Sequence, residues 1–568
     1  MNGLGNEKEH RDGRSTPLMV AEDIYEATLS PWRATIRRRV LKAVEVESKI
    51  IARMQARIRS PLLDSYFLYT SALGTHTFFT ILLPTFFFFG NDRLGRSLCL
   101  VVSLGVYLTS YIKDLVCSPR PFAPPVQRLT IGTHHLEYGF PSTHSANSVS
   151  IALWFYVIVH GLVADDVLGD IAYMACTALL TVYAFSIVFG RLYTAMHCFT
   201  DCAAGVAVGV WLWWFETSWD GFSLPMPSVV VSSLATAYAA LPGLVSAFFS
   251  TIVAPVDGQL ALLRGADVGG LLERWVHTGG VEVPFIIIPL CLLAINQHPE
   301  PVDDCPCFED AIAIGSVVVG ALVGRWGMAY FGLQAIGMSS GTPSRVLMPG
   351  SGWVYNATMA LEDPLAGWMQ EPRTLVDVSV WWGMAVLKMT VGIVIIFAWR
   401  LFAKSALHII LPPVFRLLSK LFDLPNRRFY TPATDYKNVP SEFVDERGGF
   451  RLHAIPSVID LPGMAGMEVG GVGSGVSGHA VARRLGESEM KLRQGGGVTT
   501  EKANNTPLPS RPGTPSPREE ETMVQRLKHY DADVLTKFAV YAGIAILACE
   551  MIPMMFEVLG WGVRSSPF

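Results

Sequence analysis

Long apolar runs, separated by polar segments, set the pattern of this chain. A membrane-spanning helix needs about twenty mostly apolar residues, and runs of that kind predict an all-α, polytopic integral membrane protein with about ten transmembrane helices. The first twenty residues are polar and lack the apolar core of a signal peptide, so we expect the first span to act as the insertion signal. The predicted spans lie near residues 65–89, 97–112, 145–163, 171–190, 201–215, 229–250, 281–297, 310–333, 378–402 and 535–560.

Two segments depart from this pattern. Between residues 33 and 59, lysine and arginine alternate with isoleucine and valine. This indicates a basic amphipathic helix, which either lies on the membrane surface or packs on loops of the protein itself. From about 430 to 530 the chain is rich in Gly, Ser and Pro without an apolar period, which predicts disorder, with Thr514-Pro515 and Ser516-Pro517 as candidate phosphorylation steps.

These changes of pattern divide the chain into five predicted regions. They are an N-terminal polar and basic amphipathic segment (1–60), a first membrane core (61–225), additional transmembrane helices and loops (226–402), a largely disordered cytosolic loop (403–534) and a C-terminal transmembrane helix (535–568).

Composition agrees with a membrane protein. The 568 residues are 51% hydrophobic and 16% charged, with a mean hydropathy of +0.36 and a net charge of −4, which argues against a nucleic-acid partner. The nine cysteines show no disulfide framework. Cys305 and Cys307 are interpreted as a loop feature. We predict no metal site there, because the pair and its neighbours Asp303 and Asp304 lack a second Cys or His cluster nearby.

Three polar clusters carry the candidate chemistry. They are Lys113 with Arg120, then Pro141-Ser142-Thr143-His144, then Arg191 with His197 and Asp201. Each lies at the end of an apolar run, and two runs separate the later clusters, so all three should meet on one membrane face. A phosphate ester needs fixed cations and backbone donors. Lys113, Arg120 and Arg191 supply the cations, and Ser142 is expected to cap a helix whose first N–H groups point at an anion.

The two histidines suit two different tasks. His197 and Asp201 are four residues apart, so we expect them on one helix face, with the carboxylate holding one imidazole nitrogen and leaving the other basic. His197 would then act as nucleophile or general base, and His144 would protonate the leaving alkoxide and later activate water. Separately, each cluster has an ordinary alternative: snorkelling cations, a capping residue or a structural hydrogen bond. Their order and common face favour the phosphate site.

The same residues resemble a known family. The stretches K-D-L-V-C-S-P-R-P, P-S-T-H-S and G-R-L-Y-T-A-M-H-C-F-T-D resemble the three-part signature of the type 2 phosphatidic acid phosphatase (PAP2) superfamily over about residues 61 to 215. R-P-F-A-P-P-V and E-Y-G-F-P-S-T-H-S look most like sphingosine-1-phosphate phosphatases, and the extra C-terminal spans look like fungal long-chain base phosphate phosphatases.

The resemblance implies a role for each site residue. His197 would form a phosphohistidine, Asp201 would orient it, and His144 would be acid and base, with no metal or other cofactor. The phosphate would be held by Lys113, Arg120, Ser142, Thr143 and Arg191. The chain departs from the signature at Thr143, where Gly is frequent, and at Gly190, where Ser is frequent, so one phosphate contact is either missing or supplied by Tyr193.

The implied function is dephosphorylation of long-chain base phosphates in sphingolipid metabolism, such as sphingosine 1-phosphate and its dihydro or phyto forms. The alternatives are a broader lipid phosphatase, acting on phosphatidate or an isoprenoid pyrophosphate, and a non-enzymatic transporter or scaffold. Glu137, in a loop with His134 and His135, would either pair with the ammonium of a sphingoid base or remain solvated. The spacing of Gly315, Gly320 and Gly324 suits a homodimer within the membrane lipid.

The span count also predicts sidedness. It places the N-terminus and the 254–280 and 335–376 loops on the face of the three clusters, and the 403–534 loop on the other face. The glycosylation sequon at Asn356 then shares the face of the clusters, the basic residues after 403 lie opposite, and a sequon at Asn504 is unused. Both features predict a luminal site in the endoplasmic reticulum membrane, as does the resemblance to glucose-6-phosphatase, whereas the N-terminal arginines argue the other way.

Overall fold

Most of the described chain is helical, as predicted. The computed structural model describes residues 25–74, 76–129, 137–224, 226–240, 242–243, 250–251, 253–256, 259–303, 305–333, 348–355, 368–418 and 530–562. The first seven helices are α1 (Pro31–Ile58), α2 (Pro61–Thr70), α3 (His76–Phe88), α4 (Asp92–Val116), α5 (Thr143–Ala164), α6 (Asp170–Tyr193) and α7 (Phe199–Glu216). The later helices are α8 (Ser228–Ala239), α9 (Val268–Thr278), α10 (Glu282–Asn296), α11 (Cys307–Tyr330), α12 (Leu375–Leu418), α13 (Tyr530–Ile546) and, after a π-helical turn at Leu547–Met551, α14 (Ile552–Val558).

Six helices in this part of the chain are long and apolar enough to cross a membrane. They are α4, α5, α6, α11, most of α12, and the continuous segment from α13 to α14, whereas α8 and α10 are apolar but shorter. The protein is therefore a multi-pass, all-α membrane protein. The predicted number of about ten spans is not confirmed by these lengths.

The local sequence explains how α5 begins and how it packs against α7. Ser142 accepts a hydrogen bond from the Ser145 N–H at 3.3 Å, so the predicted N-cap of α5 is confirmed. Gly205 and Gly209 of α7 lie against the backbone of α5, because a Cβ built on them would come within 2.4 and 2.3 Å of its carbonyl oxygens. Small residues here let the two helices approach closely, which fixes the second cluster beside the third.

The helices share two ends, which polar contacts identify. The motif end is where α4 and α6 finish and α5 and α7 begin. There His298, just after α10, has Nδ1 3.5 Å from Asp114 Oδ2, and Lys537 of α13 pairs with Glu309 of α11 at 2.9 Å. At the opposite end, buried Arg96 of α4 pairs with Glu273 of α9 at 2.7 Å and with Glu550 at 3.2 Å.

The chain between α7 and α9 begins and finishes at the opposite end. Strands β1 (Phe222–Leu224), β2 (Val253–Val256) and β3 (Gln259–Leu262) form one antiparallel sheet in the order β1-β3-β2. Since β1 precedes and β2 follows residues 229–250, the chain leaves this end and returns to it. The prediction of one crossing at 229–250 is wrong, because hydropathy measures the apolar length of a segment and not the side to which it returns.

Because residues 229–250 do not cross the membrane once, the loops before and after α12 lie at the ends opposite to those predicted. Lys388 Nζ donates to the carbonyls of Phe88 and Trp561 at 2.7 Å, and the Met348 N–H donates to Gly562 at 2.9 Å. These contacts place the chain before α12, including the strand pair β4 (Trp353–Tyr355) and β5 (Trp368–Gln370), at the opposite end. Phe415 packs near Leu535, so the described flanks of residues 419–529 lie at the motif end. The predicted sides of the 254–280, 335–376 and 403–534 loops are therefore all reversed.

The glycines of α11 lie in contacts between helices of the same chain. A Cβ on Gly320 would lie 2.2 Å from the carbonyl oxygen of Ala542, and Gly324 faces Ile546, both on α13. Gly315 instead meets Cys291 of α10 at 3.3 Å. The residues on which the homodimer prediction was based thus pack helices of one chain.

The two glycosylation sequons test this arrangement. Asn356 and Asn504 lie outside the described residues, but Asn356 directly follows β4 at the opposite end, and the segment with Asn504 begins and ends at the motif end. Because glycans are added only on the luminal side, we expect at most one of the two to carry a glycan. Gel mobility with and without endoglycosidase, for Asn356→Gln and Asn504→Gln, measures this. Glycans on both residues would refute the arrangement.

Candidate active site

The structure brings the first and third clusters into direct contact at the motif end. Lys113 Nζ and Arg120 Nη2 lie 2.8 and 3.4 Å from Glu137 Oε2, and Arg120 Nη1 lies 3.2 Å from Nε2 of His197. Lys113, Arg120 and His197 are all buried, with 3%, 6% and 1% of their surface exposed. Positive charge is thus concentrated around one enclosed imidazole.

The neighbours of His197 define its tautomer. Nδ1 lies 2.8 Å from the carbonyl oxygen of Gly139, which can only accept, so Nδ1 carries the hydrogen. Nε2 faces the guanidinium of Arg120, which can only donate, so Nε2 presents its lone pair. Both contacts select the same form, in which Nε2 carries the lone pair.

The surroundings also keep this imidazole uncharged. Burial lowers the pKa of His197 well below its usual 6.5, and the positive charges of Arg120, Arg191 and Lys113 lower it further. His144 contributes in the same direction. At neutral pH the ring is therefore neutral, which a nitrogen nucleophile requires.

Asp201 is placed differently from the prediction. Helix α7 begins at Phe199, so His197 precedes it, and the expectation that both residues share a helix face is wrong. Asp201 Oδ2 accepts from the Cys198 N–H at 2.8 Å but lies 3.6 Å from His197 Nδ1, beyond hydrogen-bond length. The Gly139 carbonyl orients the imidazole directly, and Asp201 caps the first turn behind it.

Gly139 is a functional residue that the sequence analysis missed. A Cβ at this position would lie 2.7 Å from the carbonyl oxygen of Pro119 and 3.2 Å from Asp201 Oδ2. Only glycine allows the backbone to pass between the first and third clusters while its carbonyl reaches His197. The signal in the sequence is a glycine two residues before Pro141, but nothing in its spacing indicates a backbone acceptor.

The arginines are held in distinct ways. Arg120 donates from Nε to the Glu137 carbonyl at 2.9 Å and from Nη1 to the Met196 carbonyl at 2.8 Å, so backbone on both sides fixes the guanidinium. Arg191 is also buried, and its Nε has no hydrogen-bond partner among the residues that the structure describes. A buried N–H of this kind is suited to an anionic oxygen.

The second cluster contributes helix-end geometry. The Ser142 N–H donates to the carbonyl of Asp201 at 3.0 Å, and the hydroxyls of Thr143 and Thr109 lie 2.9 Å apart. His144 is partly buried beside Gly74, where a Cβ would approach its ring to 2.8 Å. These contacts anchor the start of α5 to α7 and α4.

Tyr193 does not replace the missing serine contact. Its hydroxyl donates to Asp64 Oδ1 at 2.6 Å, in the contact between α2 and the end of α6. The suggestion that Tyr193 supplies a phosphate donor is therefore wrong.

Helix α1 packs on the loops of the site, which is one of its two predicted alternatives. Arg33 donates to the carbonyls of Asp114 and Leu115 at 2.7 and 2.8 Å, and Arg37 donates to Cys117 at 3.1 Å, so both cap the C-terminal end of α4. Further along α1, Ser48 accepts from the Phe122 N–H, Glu47 accepts from the Thr200 N–H, and Gln55 donates to the Tyr193 carbonyl. The helix thus ties the first cluster to the third.

Cys305 and Cys307 are joined by a disulfide bond just before α11. Their sulfur atoms and the Asp114 carboxylate lie within 4.8 Å of one another, close to the end of α4. Since each sulfur is bonded to the other, the pair offers no thiolate to a metal. Asp304, His134 and His135 lie outside the described residues.

Together, the fold and the site define a class of protein. A neutral imidazole whose lone pair faces the buried Arg120, with Lys113 and Arg191 also buried nearby, can attack a phosphorus atom whose oxygens the cations hold. Set among membrane-spanning helices, this arrangement is that of an integral membrane phosphatase.

Residues 94–224 match the model of the PAP2 superfamily. The chain is 28% identical over 425 residues to a dihydrosphingosine 1-phosphate phosphatase of Schizosaccharomyces pombe, covering 74% of this chain and 82% of the relative. It is 30% identical over 303 residues to the dihydrosphingosine 1-phosphate phosphatase YSR3 of Saccharomyces cerevisiae, covering 53% and 62%. Among solved structures, a transmembrane PAP2 type phosphatidylglycerolphosphate phosphatase from Bacillus subtilis is 23% identical with a TM-score of 0.26, covering 32% of this chain and 89% of that one.

Gly139→Ala tests the role of the backbone carbonyl. The added methyl must displace Pro119 or Asp201, which moves the acceptor away from His197 Nδ1, so we expect phosphatase turnover to fall about 100-fold. The matched control is Gly161→Ala in α5, where a Cβ meets nothing within 4 Å. Phosphate release by both purified variants measures the effect, and equal activities would exclude an orienting role for Gly139.

Arg33→Met tests whether α1 supports the site. Loss of the two carbonyl contacts should loosen the chain from Lys113 to Arg120 and lower turnover about tenfold. Arg38→Met on the same helix is the control, because Arg38 is half exposed and its contacts with Glu26 and Thr35 lie at the surface. If the two variants lose activity equally, α1 does not act through these caps.

Proposed function

We propose that this enzyme removes the phosphate from long-chain base phosphates, such as sphingosine 1-phosphate and its dihydro and phyto forms, in sphingolipid metabolism. The observation that carries the proposal is the lone pair of His197 Nε2 held among Lys113, Arg120 and Arg191. The two fungal relatives named for dihydrosphingosine 1-phosphate support the choice of lipid.

The first chemical step transfers the phosphoryl group to the enzyme. His197 Nε2 attacks phosphorus, a P–N bond forms, and the P–O bond to the lipid alcohol breaks. His144 gives a proton to the departing alkoxide, and the three cations stabilise the negative oxygens of the transition state. The Gly139 carbonyl accepts from Nδ1–H and stabilises the positive charge that the imidazole gains.

The second step restores the enzyme. His144, now neutral, takes a proton from water, and the resulting hydroxide attacks phosphorus as the P–N bond breaks. Inorganic phosphate leaves, and His197 returns to its neutral tautomer. Ser142, Thr143 and the start of α5 hold the phosphoryl oxygens through this exchange. Every proton is carried by a residue of the chain, so the proposed reaction requires no metal.

The proposed location is the endoplasmic reticulum membrane, with a luminal site. The superfamily resemblance supports this orientation. The Asn356 sequon does not, because it directly follows β4, at the end away from the site. The basic residues of α1 lie at the motif end and favour a cytosolic site. The glycan experiment decides between them: a glycan on Asn504 supports the luminal site, and one on Asn356 excludes it.

Substrate and mechanism are tested together by phosphate release in EDTA. Detergent-solubilised protein is given dihydrosphingosine 1-phosphate, phosphatidate or glucose 6-phosphate. We expect preference for the sphingoid phosphate and a loss of at least about 1,000-fold in His197→Ala, because the covalent step is removed. His160→Ala, an exposed histidine of α5, is the control.

Two outcomes would change the proposal. Equal turnover of phosphatidate would indicate a general lipid phosphatase. Full activity of His197→Ala, or none in the wild-type protein, would remove the support for a phosphohistidine mechanism.

A further inference from the structure

We propose that Glu137 and Asp310 form a subsite for the ammonium group of the substrate, beside the site that holds its phosphate. This inference rests on the proposed function and adds to it the residues that distinguish an aminated lipid phosphate from other phosphate monoesters. Asp310 belongs to α11, outside residues 94–224 that match the superfamily.

Glu137 occupies the position that a phosphate oxygen needs. Its Oε2 lies 2.8 Å from Lys113 Nζ and 3.4 Å from Arg120 Nη2, so one carboxylate oxygen already contacts two of the three cations. A bound phosphate monoester brings negative oxygens to the same cations. Repulsion between like charges at this distance in a buried site then displaces the Glu137 side chain.

The displaced carboxylate cannot go far. Arg120 Nε holds the Glu137 main-chain carbonyl at 2.9 Å, so the residue stays at the edge of the cradle while its side chain turns. The carboxylate loses its contact with two cations and is only partly exposed, with 16% of its side-chain surface accessible. It is stabilised again by a cation that arrives with the phosphate.

Asp310 supplies a second carboxylate near the same place. It is the fourth residue of α11, and Phe308, two residues before it, packs on His298 with ring centroids 5.5 Å apart. His298 in turn lies 3.5 Å from Asp114, the residue after Lys113, so the charge of Asp310 interacts with those of Glu137 and Lys113. Its Oδ1 is enclosed and has no hydrogen-bond partner in the described part of the chain. The neighbouring lysine, Lys537, makes its 2.9 Å contact with Glu309 instead. A buried carboxylate oxygen is costly unless a donor reaches it, and an ammonium group provides one.

The chemistry of the substrate fits this pair. In a long-chain base phosphate the amine is on the carbon next to the one that carries the phosphate ester, so phosphate and ammonium must bind side by side. Lys113 pairs directly with Glu137 and also acts on Asp310 through its charge, so both carboxylates lie on the side of the phosphate cradle that Lys113 occupies. Phosphatidate has no amine at this position, and an N-acylated base phosphate has an uncharged amide, so neither compensates the two carboxylates.

The test compares substrate preference in isosteric variants. The ratio of kcat/KM for dihydrosphingosine 1-phosphate to that for phosphatidate is measured in the same detergent for wild type, Asp310→Asn and Glu137→Gln, with the N-acylated base phosphate as a third substrate. We expect the ratio to fall about tenfold in Asp310→Asn, the size of one lost charge contact. Asp170→Asn, in the first turn of α6 at the opposite end, is the matched control and should keep the wild-type ratio.

Glu137→Gln has a second readout. Removal of the competing negative charge should tighten product inhibition by inorganic phosphate about tenfold, measured with phosphatidate as the substrate. Unchanged phosphate inhibition would overturn the displacement of Glu137.

The remaining outcomes separate the two proposals. If wild type prefers the aminated substrate and Asp310→Asn keeps that preference, or loses both activities by the same factor, the subsite is wrong and the proposed function stands. If wild type itself shows no preference for dihydrosphingosine 1-phosphate over the N-acylated form and phosphatidate, the proposed function fails and the subsite fails with it.

Discussion

Repulsion among three buried cations is the constraint on which this site depends. Lys113, Arg120 and Arg191 are enclosed near one another, and buried like charges are tolerated only when oxygen atoms surround them. Main-chain carbonyls around Arg120 and the carboxylate of Glu137 provide those oxygens. The same constraint sets the state of the nucleophile, because a protonated His197 would add a fourth positive charge. Affinity for an anion and neutrality of the imidazole therefore have one physical origin.

The positions of these groups come from backbone more than from side chains. Close packing of α5 on α7 through Gly205 and Gly209 brings the second and third clusters together, and Gly139 carries the link to the first. Helix α1 then fixes the connecting loops by capping α4 and by bonding to the segments after α4 and α6. The geometry of the site is thus set by the ends of α4 and α6 and the starts of α5 and α7, and each of these ends contacts α1 or a neighbouring helix.

The main helices and the common face of the three clusters were predictable from the sequence. Apolar length located the helices, and the order of charged residues at their ends indicated that three clusters share one face. Hydropathy failed at 229–250, where an apolar segment returns to its own side, and that one error reversed the loops after it. Side-chain spacing also did not reveal that the shortest contact of His197 Nδ1 is with a main-chain carbonyl, since every residue possesses one. The part played by Asp310 could not be predicted, because nothing in its local sequence indicates that it lies near the first cluster.

The contacts of α1 also bear on how the protein is made. This helix leaves the ribosome before every loop that it holds, and its partners extend from Asp114 to Thr200. During synthesis it must therefore wait, unpaired on its polar face, while the helices from α3 to α7 are inserted one after another. The disulfide-bearing segment and α11 arrive later still. The contacts that hold the site together can therefore be complete only after the start of α7 has been synthesised, because one partner of α1 in the site is Thr200.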